Sequence, residues 1–208
     1  MIGKTYSEVF VLEDKSIPLP EGEWKVVGVG AAMEKFSEIN LIKETNERRL
    51  AGAIIIRSDT SLNDFVGYWE NKYVNRPDLH FKCVIRNSVQ EGLDLWVINH
   101  YLMNWTPKRK AAKEFYQYLL DNKIERPKLM IQSYHEITGK TLKNKYLRVE
   151  YYYNPEIEGF VTSSENDWGT SSWHPLRIGA EPQKAAYIER VKNEGEALHE
   201  KMQRSLNE

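Results

Sequence analysis

Apolar and polar positions along this chain repeat at two periods, and each period marks a different element. Alternation at period two, or a short apolar run between turn residues, reads as a strand; apolar residues every three to four positions read as a helix. Tyr6–Leu12 predicts a short strand centred on Val9, Phe10 and Val11. Ser16–Gly22 reads as a connector, because Pro18 and Pro20 remove ladder donors and Gly22 permits a sharp bend. Trp24–Val29 predicts the next strand, with Trp24, Val26 and Gly28 on one face. Gly28 and Gly30 mark a bulge or a close backbone approach. Phe36–Ile42 and Leu50–Ile56 flank the polar run Lys43–Arg49, the pattern of a hairpin. Ala53-Ile54-Ile55-Ile56 is apolar on both faces, which places its strand inside a sheet.

Further along, Phe65, Tyr68, Trp69 and Tyr73 have helical spacing within Ser61–Pro77. That predicts a helix capped by Ser61 or Asn63 and ended by Arg76-Pro77. His80–Arg86 and Leu93–Leu102 predict two more strands. Thr106-Pro107 predicts a helix start, with Thr as N-cap and Pro in the first turn. Ala112, Phe115, Tyr116 and Leu119 form its inner stripe, and the helix runs Pro107–Asn122. Lys128–Ile137 and Tyr146–Tyr153 predict a strand pair joined through Thr138-Gly139-Lys140. A last helix, Pro182–Leu206, presents Ile188, Val191, Gly195, Leu198 and Met202 inward and a solvated Lys/Glu/Asn face outward. Strands arrive in hairpin-like pairs, with helices between or after them. The expected architecture is therefore one α+β domain over residues 1–208, mainly antiparallel sheet with two or three packed helices.

Composition narrows the partners. The chain has 208 residues, 41% of them apolar and 28% charged, enough to bury a core. A net charge of −1 argues against bulk attraction to nucleic acid or to an anionic membrane. Cys83 is the only cysteine, which excludes an intrachain disulfide and a thiolate zinc site. It alternates with Phe81 and Ile85, so a buried, inert thiol is expected. No apolar run approaches the length of a membrane-spanning helix. The N-terminus as it stands lacks a basic region followed by an apolar stretch, so no signal peptide is expected in it. Gly28-Val29-Gly30 lacks the third Gly of a dinucleotide loop, and no Walker, Gly-x-Ser-x-Gly or His-Glu-x-x-His pattern occurs. No cofactor, metal ligand or catalytic residue is expected on these patterns.

The richest candidate surface is Tyr146–Pro175, where large rings stand among Asn, Glu, Ser, Thr, Gly and Asp. Rings in a polar, turn-rich segment offer broad contact area at low entropic cost. Tyr151, Tyr153, Trp168, Trp173 and His174 are the candidate ligand-binding residues, with Tyr151 and Tyr153 on one strand face and Tyr152 on the other. The alternative is that these rings fill a small core. Among the five histidines, His100 and His135 lie on predicted strands. His135, paired with His100 or with Glu150, would suit acid–base chemistry in a small hydrolase or transferase. His135 and Glu136 are adjacent on a strand and face opposite ways. Two basic clusters remain: Lys108, Arg109, Lys110 and Lys113 beside Trp105, and Lys140, Lys143, Lys145 and Arg148 beside Tyr146. They suit a single-strand nucleic-acid binder, a reading that the near-neutral total charge opposes.

The run Pro18-Leu19-Pro20-Glu21-Gly22-Glu23-Trp24-Lys25-Val26-Val27 resembles the opening of uncharacterised exported bacterial proteins, in which a Pro-Leu-Pro-x-Gly-x-Trp element leads into the first long strand. The resemblance implies export, to the periplasm, after signal removal, and implies nothing about activity. The resulting expectation is a non-catalytic binding or interaction protein of a bacterial envelope, whose ligand is a protein, a peptide or a saccharide.

Overall fold

The computed structural model describes residues 1–31, 36–59, 73, 75–88, 92–103, 107, 109–138, 146–162, 165 and 167–207. The strands are β1 (Thr5–Tyr6), β2 (Val9–Leu12), β3 (Lys15–Pro18), β4 (Trp24–Ala31), β5 (Phe36–Glu44), β6 (Leu50–Asp59), β7 (Phe81–Ser88), β8 (Gly92–Leu102), β9 (Leu129–Thr138) and β10 (Tyr146–Tyr153). The helices are α1 (Lys110–Asp121), the single turn α2 (Pro175–Ile178) and the long α3 (Pro182–Asn207). Eight strands make one antiparallel sheet in the order β1-β4-β5-β6-β10-β9-β8-β7, and β2 with β3 makes a separate hairpin. The chain is a single α+β domain, as its paired strands predicted.

The predicted hairpins β5–β6, β7–β8 and β9–β10 are all neighbours in the sheet. The long-range step is β10 lying against β6, which puts the apolar run Ala53–Ile56 between two partners. One face of the sheet is covered by α3 and the β2–β3 hairpin; Phe10, Ile17, Ile54 and Val149 share that core with Leu198 and Met202. On the other face Phe115 and Leu119 of α1 pack on Val27, Ile42, Ala53 and Tyr152. The predicted inner stripe of the last helix is the observed one: Ile188, Val191, Leu198 and Met202 are buried.

Gly28 and Gly30 explain how α1 reaches the sheet. A Cβ on Gly28 would lie 2.3 Å from the Ala111 carbonyl oxygen, and one on Gly30 would lie 3.0 Å from the Ala111 nitrogen. The helix backbone therefore rests directly on β4. The ladder also shifts register between Val26 and Gly28. This bulge moves Gly28 away from Trp24 and Val26, onto the α1 side, where straight alternation placed all three together.

Other expectations need correction. Tyr6–Leu12 is broken at Ser7-Glu8, where Glu8 takes φ 63°, so β1 joins the large sheet and β2 the small one. The Ser16–Gly22 connector is in part a strand: Pro18 ends β3 opposite Val9, in a two-stranded hairpin where a missing donor is tolerated. Helix α1 begins at Lys110 with Arg109 as an N-cap that makes no side-chain cap bond, rather than at Pro107. The expected Thr106 cap, the Thr138-Gly139-Lys140 connection beyond Thr138, and residues 61–72 and 74 of the helix expected over Ser61–Pro77 lie outside the described residues.

Candidate functional site

The face beside α1 carries polar residues at positions where a central strand ordinarily points aliphatics. Glu38 and Asn40 on β5 are each 1% exposed. Arg57 of β6 pairs in register with Arg148 of β10, so two guanidinium groups stand on adjacent strands. Like charges directly opposite are unfavourable, and Glu150, two residues along β10 on the same face, resolves the clash. Its Oε1 accepts from Arg57 Nη1 at 2.5 Å and from Arg148 Nη2 at 2.8 Å. Arg57 Nε also donates to Glu38 Oε2 at 2.8 Å, and Arg109 at the start of α1 reaches the same oxygen at 3.2 Å. Arg148 lies over the Tyr134 ring, 4.7 Å from its centroid.

The network continues across the sheet. Gln132 Nε2 donates to Glu150 Oε2 at 2.7 Å and to the Tyr152 hydroxyl at 2.8 Å, while that hydroxyl donates to Glu150 Oε2 at 2.5 Å. Gln132 Oε1 accepts from Asn99 Nδ2 at 3.4 Å and from the Tyr73 hydroxyl at 3.3 Å. Burial pushes the Glu150 carboxyl up, but Arg148, Arg57 and the Tyr152 hydrogen bond outweigh it and hold the group at about 2. Burial, reinforced by the Glu150 charge, pushes the phenols of Tyr73 and Tyr101 up to about 12. These groups are locked in single protonation states around neutral pH.

Among the described residues, Glu38 Oε1, Asn40 Oδ1, Asn99 Oδ1 and Arg148 Nε are buried atoms of this face with no hydrogen-bond partner. Beside them, a cavity of about 30 Å³ opens between the sheet and α1, lined by Ile55, Tyr101, Met103, Phe115, Met130 and Tyr152. Tyr152 joins the two regions, its ring in the apolar pocket and its hydroxyl in the polar row. The face thus joins a buried hydrogen-bonding row to an apolar recess.

The predicted ligand-binding rings divide. Tyr151 and Trp173 are 0% exposed. Tyr151 points into the α3 core and donates to the Pro18 carbonyl at 2.8 Å, and Trp173 packs against Phe160 and Tyr187. Both are core rings with no face left for a ligand, because α3 and the segment after β10 close over them. Tyr153 packs half-buried against the same core. Tyr151 and Tyr153 do share one strand face, with Tyr152 on the other. Trp168 and His174 remain partly exposed and adjacent, with ring centroids 5.1 Å apart. Trp168 stacks on His100 at 3.3 Å and meets His80 at 5.8 Å. His174 caps α2, its Nδ1 accepting from the Leu176 N–H at 3.2 Å. Leu176 beside it is 89% exposed.

His100 and His135 are not brought together. In register His135 pairs with Trp96, four positions from His100 along β8, or roughly 13 Å. His135 instead lies in a buried chain under α3: the Ser133 hydroxyl to His135 Nε2 at 2.8 Å, His135 Nδ1 to His199 Nδ1 at 3.1 Å, and His199 Nε2 to Asp94 Oδ1 at 3.0 Å. The tautomers that give every atom a partner run all donors from Ser133 toward Asp94. The constellation has the form of a nucleophile, a base and an orienting acid, but Ser133 is 0% exposed and Gly195 of α3 seals it. Burial and the His199 neighbour hold the His135 imidazole well below its usual range. The chain locks α3 to the sheet. Glu136, as alternation required, faces the other way and accepts from Tyr134 and Tyr146. Burial pushes the half-buried Cys83 thiol up, away from a reactive thiolate.

The nucleic-acid reading loses Arg148 and Tyr146, both turned inward onto Glu150 and Glu136. Trp105, Lys108, Lys140, Lys143 and Lys145 lie outside the described residues. Among the described residues no three His, Cys, Asp or Glu side chains are grouped to hold a metal ion, and no helix is long and apolar enough to cross a membrane. The chain matches no family model, no curated protein and no solved structure.

Sequence patterns pointed to the aromatic segment and passed over Glu38, Asn40, Arg57, Gln132 and Asn99. A signal was present. Each stands among apolar residues of its own face, Arg57 after Ala53 and Ile55, Gln132 between Met130 and Tyr134, Asn99 between Val97 and Tyr101, which marks that face as covered too.

Proposed function

We propose that this chain is a non-catalytic binding protein that holds a small ligand against the polar sheet face beside α1. The observation that carries the reading is the set of unmet buried atoms on Glu38, Asn40, Asn99 and Arg148. A buried polar group without a partner costs about 1–3 kcal/mol. A face that retains several is completed when a ligand or ordered water supplies the missing partners. The fixed protonation states favour holding over chemistry. A general acid or base works best with a pKa near the operating pH, whereas Glu150 stays ionised and Tyr73 and Tyr101 stay protonated. The neighbouring recess adds apolar contact, the usual composition of a small-molecule site.

A thermal-shift screen with saccharides, peptides, nucleotides, short oligonucleotides and divalent metals tests this. A ligand at one hundred times its dissociation constant stabilises by about 2.7 kcal/mol. The expected hit loses its shift in Asn99→Ala and in Asn40→Ala, both checked for native circular dichroism. A hit whose shift survives in both variants places binding elsewhere and refutes the reading, as does a screen without hits.

A further inference from the structure

On the α3 face, away from the binding face proposed above, the buried histidine chain limits how many protons the fold can hold. Its four ring nitrogens are committed in series: His135 Nε2 to the Ser133 hydroxyl, the two Nδ1 atoms to each other at 3.1 Å, and His199 Nε2 to Asp94 Oδ1. With both rings neutral, one hydrogen lies in the gap between the Nδ1 atoms. A first added proton is accommodated: Ser133 Oγ turns from donor to acceptor for His135 Nε2–H, and the pair carries three ring hydrogens, one of them still in the gap. A second added proton has only the remaining Nδ1 to occupy. It sets two N–H groups head to head across 3.1 Å and two imidazolium charges in one buried space.

Among the described residues, the charges around the pair are already engaged. Asp94 accepts from Gln203 Nε2 at 2.9 Å and faces Arg86 Nη2 of β7 at 3.3 Å. The neighbouring Cys83 thiol is pushed up by burial and stays uncharged. From β8 and β10 the pair meets rings: Trp96 lies parallel to His135 at 5.9 Å and tilted to His199 at 6.3 Å, and Tyr151 meets His135 edge-on at 5.4 Å. On β3, Lys15 pairs with Glu13 and Asp14. Along α3, Glu194 acts on Tyr151 and Tyr153, and Glu196 on Cys83. The pair is also tightly covered, since a Cβ on Gly195 would lie 2.6 Å from Ser133 Oγ. Release of α3 is separable from loss of the sheet, because the core that Phe115 and Leu119 hold on the opposite face shares no residue with α3.

We propose that the His135–His199 pair is a proton-counting latch: α3 stays seated on the sheet while the pair holds at most one added proton, and the second releases it. In water each ring titrates near 6.5, so the released state binds more protons and release grows as pH falls below that value. Hydrogen exchange read by mass spectrometry, corrected for the intrinsic pH dependence of exchange, follows the latch in peptides over 195–206 and the sheet in peptides over 36–56. Below about pH 6.5, opening of α3 should grow about tenfold per pH unit, as one proton taken up on release requires, while β5 and β6 stay protected. His135→Gln leaves a single ring beside Asp94, which holds its proton with no opposing N–H. In that variant the growth should fall below about threefold per pH unit. Nitrogen-15 spectra of the wild-type imidazoles at about pH 5.5 count the hydrogens directly and decide the matter where His135→Gln does not fold. The seated pair should show three protonated ring nitrogens at most. Both rings doubly protonated with α3 in place would overturn the latch. So would loss of protection in α3 and in β5–β6 at one common pH, or an undiminished slope in His135→Gln.

Discussion

At the scale of single residues, the polar face divides into groups that stabilise the fold and groups that wait for a partner. Glu150 belongs to the first kind. It stands between Arg57 and Arg148, which face each other in register. Glu150→Gln preserves shape but takes the carboxylate from Arg148 and leaves Arg57 with Glu38 alone. Breaking a buried ion pair by removing one partner costs about 3–5 kcal/mol, and a loss of that size is expected in urea unfolding. A change below about 1 kcal/mol, the range of exposed pairs, would mean that water already screens the site. Asn40 belongs to the second kind. Its Oδ1 is buried and unpaired, so Asn40→Leu removes a desolvation cost while keeping volume. The ligand-free protein should gain about 1 kcal/mol and lose its ligand-induced thermal shift, a trade of function for stability. Destabilisation by Asn40→Leu would show that the amide is already satisfied.

At the scale of elements, the position of α1 decides whether the apolar recess has a wall. The helix rests on two glycines, and they are not equivalent. Gly28→Ala drives a methyl into the Ala111 carbonyl, whereas Gly30→Ala meets the Ala111 nitrogen at 3.0 Å. Overpacking costs about 1–3 kcal/mol; Gly28→Ala should fall at the upper end and displace Phe115 from the recess, and Gly30→Ala should cost clearly less. Equal stabilities in a urea titration of the two variants would contradict the close seating. Elements were also what the sequence disclosed best. The hairpin β5–β6, the pair β9–β10 and the inner stripe of α3 followed from periodicity alone, because each depends on neighbours close in the chain. The helix start at Lys110 did not, because its cap lacks the side-chain bond that marks an N-terminus. The site was less legible still. Glu38, Arg57 and Glu150 converge only because β10 lies beside β6, a pairing between segments separated by β7, β8, α1 and β9. The aromatic segment drew attention by composition, yet Tyr151 and Trp173 went to the core because α3 closes over them.

At the scale of the whole molecule, the histidines link folding to pH with a predictable sign. Burial, with the His174 neighbour, lowers His80 to about 4; burial, with Arg76 nearby, lowers His100 to about 3. Burial also holds His135 well below its usual range. In an unfolded chain each titrates near 6.5. Between these limits the unfolded state binds more protons than the folded one, so stability rises with pH. The contribution is complete above about pH 6.5 and is lost as pH falls toward the folded values, each group adding at most about 1.4 kcal/mol per pH unit. Asp78, held at about 2 by its hydrogen bond to Arg76, and Glu150, at about 2, add a second loss, confined to pH below about 4.5 where unfolded carboxylates begin to protonate. Glu194, raised by burial, opposes the histidines by favouring the folded state as pH falls toward its range. The net expectation is a urea midpoint that drops from pH 7 to pH 4.5 with histidine as its dominant cause. His100→Gln isolates the mechanism. It removes one titrating ring at the Trp168 stack, so it should flatten the slope between pH 4.5 and 6.5 while leaving the collapse below pH 4 in place. An unchanged slope in that variant would show that His100 gains its proton without unfolding, and that the Trp168 corner opens to water well before the sheet does.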